Sequence, residues 1–119
     1  MEYSFEKLRV WQEGKNLVII IYDLTKKFPS TETYGFTSQM RRASLSIPSN
    51  IAEGSSRVSD KDQARFYSIA YSSLIELLNQ VIIAEELDFI TTNELETTRD
   101  KIEYVSNMLN SLKKSLKNK

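Results

Sequence analysis

Chain breakers are scarce in this sequence: Pro29 and Pro48 are its prolines, and Gly14, Gly35 and Gly54 its glycines. A many-stranded sheet needs turn residues at short intervals, and a phosphate-cradling loop needs clustered glycine, so both are disfavoured from the outset. Long helices remain. The apolar pattern agrees, because Leu8, Trp11, Val18 and Tyr22 keep helical spacing with Thr25. The β-branched run from Val18 to Tyr22 passes for a buried strand only when taken alone, since a lone strand has no partner elsewhere in the chain. With 119 residues, one domain is expected, spanning residues 1–119.

Punctuation and period together predict four helices. The first spans roughly residues 5–27 and is stopped at Phe28-Pro29, because proline lacks an amide hydrogen and restricts its predecessor. The second spans roughly 32–53, with Pro48 expected to bend or tighten its last turns and Gly54 expected as its left-handed terminating residue. The third covers about 59–87, opened by Ser59 with Asp62 in the glutamate role of a capping box. The fourth covers about 91–114, where Thr91 caps and Glu94 reaches back. The predicted fold class is all-α, an antiparallel up-and-down four-helix bundle.

The chain contains neither cysteine nor histidine, which removes disulfides, thiol catalysis, zinc fingers and imidazole relays. Carboxylates, tyrosines, lysines and arginines are left for acid–base work, and a Glu53–Glu76 carboxylate pair is a weak candidate because such chemistry needs a cleft and a set separation. The expectation is a non-enzyme with no catalytic residue, cofactor, metal or small-molecule substrate. Lysine plus arginine number 16 and aspartate plus glutamate 16, so no overall field draws the chain to a polyanion. The start of the sequence lacks the pattern of a secretion signal, and the apolar run Leu17–Tyr22 falls short of the ~20 residues that cross a bilayer. A cytoplasmic location without membrane contact is expected.

The helical faces carry more apolar surface than one bundle needs. In the first helix Arg9, Gln12, Glu13, Asn16, Asp23 and Lys27 share one polar wedge, leaving an apolar arc of roughly 220°. In the third, Phe66, Ala70, Leu74, Leu77, Val81 and Ala84 lie beside a second line of Ala64, Tyr67, Tyr71, Ile75, Leu78 and Ile82. The fourth is apolar on one side only. A solitary bundle needs one stripe per helix, so a homo-oligomer is predicted; the alternative is that wide faces are simply deep core.

On the second helix Gln39, Arg42, Ser46, Asn50 and Glu53 follow steps of three and four, which sets them on one flank as a polar seam, with Glu76 of the third helix a possible counterpart. Arg41 points elsewhere, near Leu45 and Pro48. Arg41, Arg42 and Arg57, together with Lys26, Lys27 and Arg65, are the candidates for phosphate contacts. A planar guanidinium suits phosphate and carboxylate alike, so internal pairing with Glu53 or Glu76 is the competing reading. Lys113, Lys114, Lys117 and Lys119 either attract polyanions or complement the dipole of the last helix.

The string Gln39-Met40-Arg41-Arg42-Ala43-Ser44-Leu45-Ser46-Ile47-Pro48-Ser49-Asn50-Ile51-Ala52-Glu53-Gly54 resembles the signature of the 23S rRNA-intervening sequence proteins, or four helix bundle proteins. Phe5, Leu8, Val10-Trp11-Gln12, Tyr22, Phe28-Pro29 and Tyr34-Gly35 fit before it, and Ser73-Leu74 with Glu76-Leu77 fit after it. The resemblance implies a four-helix bundle assembling as a ring-like homopentamer. It also implies two kinds of role, because some relatives are encoded within ribosomal RNA gene inserts and a similar protein is the reverse-transcriptase accessory of diversity-generating retroelements. The leading expectation is a scaffold or accessory binding a protein or ribonucleoprotein. The other is an RNA- or DNA-binding accessory to a reverse transcriptase or ribosomal RNA, its arginines repeated around the oligomer.

Overall fold

The structure, a computed structural model, describes residues 1–117; Lys119, the last of the expected lysine tail, lies outside the described residues. Four helices account for most of it: α1 (Arg9–Thr25), α2 (Phe36–Ser55), α3 (Asp60–Glu86) and α4 (Thr92–Lys117), with no strand among the described residues. Each helix packs on the next and α4 returns to α1, giving a body of 46 × 25 × 22 Å. Leu17 and Ile21 of α1, Ile47 and Ile51 of α2, Leu74, Leu77 and Val81 of α3, and Val105 and Leu109 of α4 meet at the centre with no exposed surface. By length and composition α3 is apolar enough to cross a membrane, and within the bundle it is the helix that supplies the most fully buried side chains.

The cap residues follow the sequence, but Asp62 does not take the glutamate role of a capping box: its carboxylate contacts Arg65 and Arg57 instead of the Ser59 amide. The Ser59 hydroxyl accepts from the Asp62 amide at 3.1 Å. The Thr91 hydroxyl accepts from the Glu94 amide at 3.1 Å, and the Glu94 carboxylate accepts from the Thr91 amide at 2.9 Å, satisfying two otherwise orphaned donors of α4.

Several boundaries depart from the sequence reading, among them the end of α4, which reaches Lys117 and not about residue 114. The first helix does not start at Phe5: Ser4–Lys7 form a separate 3-10 turn, and Leu8 at ψ 123° is extended, so regular helix begins only at Arg9. It stops at Thr25, and the second starts at Phe36 rather than near Glu32, because Ser30–Glu32 make a second 3-10 turn after Pro29. Gly54 is not a terminating residue. It lies inside α2, which runs through Pro48 to Ser55, and no glycine among the described residues has a positive φ. The left-handed position belongs instead to Asp88, at φ 61°. There the Phe89 amide donates to the Ala84 carbonyl and the Asp88 amide to the Glu85 carbonyl, both at 2.9 Å, which closes α3 as a Schellman motif with aspartate in the usual glycine place. Phe89 then joins Phe28 and Phe36, with ring centroids 5.2–6.0 Å apart, and this aromatic cluster packs beside the connections at that end of the bundle.

Gly54 serves close packing. A β-carbon added there would stand 2.7 Å from Tyr67 Cε1 and 2.9 Å from Phe66 Cβ, well inside contact distance. At Gly14 of α1 the same β-carbon would meet Ile47 and Pro48 at an ordinary 3.6 Å. The two glycines therefore predict substitutions of opposite sign. Gly54→Ala is expected to destabilise by about 2 kcal/mol through overpacking, and Gly14→Ala to stabilise by about 0.5–1 kcal/mol through helix propensity. Urea unfolding of the two variants beside the parent checks both.

Candidate functional site

The polar seam is a real flank of α2, and the structure gives it a second wall. Gln39, Arg42, Ala43 and Ser46 of α2 face Ser73 and Glu76 of α3 across a shallow cleft of about 330 Å³. Its floor is tied by hydroxyls: Ser73 Oγ donates to Ser46 Oγ at 2.8 Å, and Asn50 Nδ2 donates to Ser46 Oγ at 2.9 Å and to the Ser46 carbonyl at 2.8 Å. Of the predicted seam, Gln39, Arg42, Ser46 and Glu76 are brought together, with Asn50 bonded to Ser46. Glu53 is not. It turns away to accept from Arg57 at 3.1 Å, so Glu53 and Glu76 do not share the cleft as a carboxylate pair.

Ser73 and Gln80 were not anticipated, although their spacing of three and four residues from Glu76 was a readable signal. Gln80 is 6% exposed. Its Nε2 reaches Glu76 Oε1 at 3.5 Å, while its Oε1 is buried with no hydrogen-bond partner among the described residues. Exchanging the two amide atoms would turn an oxygen toward the carboxylate, so this orientation is the favourable one.

The candidate phosphate-binding cations divide by what already occupies them. Arg41 is committed internally: its Nε donates to Thr25 Oγ1 at 2.8 Å and its guanidinium lies 4.5 Å from the centre of the Tyr22 ring. Thr25 passes the link on to the Ile21 carbonyl at 2.8 Å, so Arg41 ties α2 to α1. Arg57 contacts Glu53 and, at 3.8 Å, Asp62, and Arg65 contacts Asp62 at 3.0 Å. Both guanidiniums lie over the Phe66 ring, at 4.6 and 4.5 Å. Lys27 is bonded to Glu94. Arg42 and Lys26 are exposed and form no ion pair among the described residues.

Charge is matched at one end of the bundle and not at the other. Around the α2–α3 connection Arg57, Lys61 and Arg65 stand among Glu53, Asp60 and Asp62. Around the α3–α4 connection Glu85, Glu86, Asp88, Glu94 and Glu96 gather, and Lys27 is the cation paired with them. Among the described residues no group of carboxylates is arranged to hold a metal ion.

Two interhelical pairs bring measurable electrostatics. The hydrogen bond from Lys101 holds the Glu13 carboxyl below the ordinary glutamate range, against the opposing effect of its burial. The hydrogen bond from Lys27, with the Thr91 amide assisting, does the same to Glu94. Burial pushes the Tyr67 hydroxyl up.

The family described as 23S rRNA-intervening sequence protein matches residues 6–111. Among solved structures, a Bacteroides thetaiotaomicron protein described as of unknown function, from the S23 ribosomal protein family, superposes with a TM-score of 0.82 at 21% identity. The match covers 88% of this chain and 98% of that one, and at this identity it speaks for the fold. No curated protein matches the chain.

Two expectations follow from the site. Arg41→Ala should lower stability by about 1–3 kcal/mol, since it strands the Thr25 hydroxyl link and uncovers Tyr22, whereas Arg42→Ala should change the stability of the isolated subunit by less than about 0.5 kcal/mol. Chemical denaturation at low protein concentration distinguishes them. For Glu13 and Glu94, the unfolded chain takes up protons near the ordinary value of about 4.3 and the native chain only at lower pH, so the unfolded state binds more protons in between. Their stabilisation is complete above that value and is lost as pH falls through the lowered native one. Acid titration of urea stability should therefore be shallower in a Glu13→Gln/Glu94→Gln variant than in the parent.

Proposed function

The chain belongs to the 23S rRNA-intervening sequence protein family, and from that premise we propose that it is a non-enzymatic, cytoplasmic, homo-oligomeric scaffold that binds a protein or ribonucleoprotein partner. The observation that carries this reading is the exposure of large apolar side chains on the two helices whose faces were too wide. Ile19 of α1 is 60% exposed and Ile75 of α3 is 48% exposed. Neither is isolated. Val18 and Tyr22 accompany Ile19, and Tyr71, Leu78 and Ile82 continue the line of Ile75 at steps of four, three and four, all half-buried. Packing against other copies removes such strips from water at roughly 25 cal/mol per Å² of apolar surface, and the family resemblance implies five copies.

A second reading, nucleic-acid binding, is favoured by the exposed Arg42 and Lys26, which a closed ring would repeat and so multiply. The formal charge of zero and the matched cations at the α2–α3 connection weigh for the scaffold.

Sedimentation at micromolar concentration is expected to give an oligomer that Ile75→Lys dissociates with helical content retained. A monomeric parent would overturn the scaffold. In a fluorescence-anisotropy titration with RNA, the scaffold reading expects weak binding with little response to salt; affinity falling steeply with salt would put the second reading first.

A further inference from the structure

We propose that the α2–α3 cleft receives the outer face of α1 from a second copy of the chain, Lys26 of that copy meeting Glu76 and its Asp23 meeting Arg42. The proposal rests on the self-association reading above and names one contact, which covers the strip of Ile19 and not that of Ile75, about 100° around α3 from Glu76.

The receiving surface has a heptad line. Ile69, Glu76 and Ile83 recur every seven residues along α3, at steps of about 10.5 Å, so an acid stands between two isoleucines on the rim of the cleft. Ile69 and Ile83 are 40% and 41% exposed, unlike the core residues between them. Arg42 stands on the opposite wall, and neither it nor Glu76 has an ion-pair partner among the described residues. A cleft holding one cation and one anion gives a polyanion no net attraction; it selects a surface that carries both signs.

The outer face of α1 carries them at a fitting interval. Ile19, Asp23 and Lys26 follow steps of four and three and are all exposed, and Asp23 and Lys26 form no ion pair among the described residues. From Ile19 to Lys26 is again seven residues, about 10.5 Å along a helix. With Lys26 at Glu76, Ile19 therefore reaches Ile69 or Ile83, according to the direction of the docked helix, and covers it. Asp23 falls between, within reach of the Arg42 fork. Since the docked face and the receiving cleft are different surfaces of one chain, the contact is head-to-tail and repeats until the assembly closes.

A charge swap tests the pairing. By sedimentation velocity, Lys26→Glu alone and Glu76→Lys alone should each weaken assembly at least about tenfold, and the double variant should recover most of it. Asp23→Arg with Arg42→Asp is an independent swap across the same contact, available should Glu76→Lys fail to keep parental helicity by circular dichroism. Single variants that assemble like the parent, or double variants that recover nothing, would overturn this contact while leaving an oligomeric parent, and hence the scaffold reading, intact. A monomeric parent would remove the scaffold reading first and this contact with it.

Discussion

The close approach of α2 and α3 is the constraint on which the rest of the bundle depends. At one end it leaves no room for a β-carbon at Gly54, where the Tyr67 ring takes the space. Midway, two serines face each other and bond hydroxyl to hydroxyl, Ser46 to Ser73. Small residues at the crossing bring the helices together, and the polar side chains flanking them then line a groove instead of two separate solvent faces. The cleft is thus a product of the packing. Its polarity is tolerated because the hydroxyls and Asn50 satisfy one another, while the charges stand at the rim.

Arg41 and Arg42 show how far one residue of helix matters. About 100° of rotation separates neighbouring side chains, and that is enough to place Arg41 against Tyr22 and Thr25 of α1 and Arg42 at the cleft facing α3. Both were equal candidates for the same role in the sequence. The first now reads as a strut between helices, its fork used by a hydroxyl and its plane by an aromatic ring. The second keeps its charge available.

What the sequence disclosed and what it hid divide along a physical line. Period, proline and capping residues are local, so the helical class, the four helices, the Ser59 cap and the reciprocal cap of Thr91 and Glu94 were legible. The seam was legible for the same reason, because steps of three and four are a property of one helix. Contacts between helices were not. Gly54 looks like a stop signal in one dimension, and only the ring arriving from α3 reveals that it answers to size. The turn at Asp88 was equally hidden: its left-handed backbone is held by the amide bonds of Phe89 and Asp88 and by an aromatic cluster drawn from two connections, none of which leaves a mark in the residue itself. The commitment of Arg41 likewise depended on Tyr22 and Thr25, a helix away, whereas Arg57 and Arg65 pair with carboxylates three to five residues off, within the reach of a local reading.

The uneven placement of charge along the bundle has a consequence for any assembly of its copies. Acidic side chains crowd the α3–α4 connection, whereas Lys113 and Lys114 lie in the last turns of α4 toward the opposite end. A molecule with no formal charge is therefore an electric rod with unlike poles. Rotation about a common axis carries each pole onto its own kind, so a closed circle of such rods standing along that axis would show a negative rim above and a more positive rim below, and approaching molecules would then be sorted by the side from which they arrive.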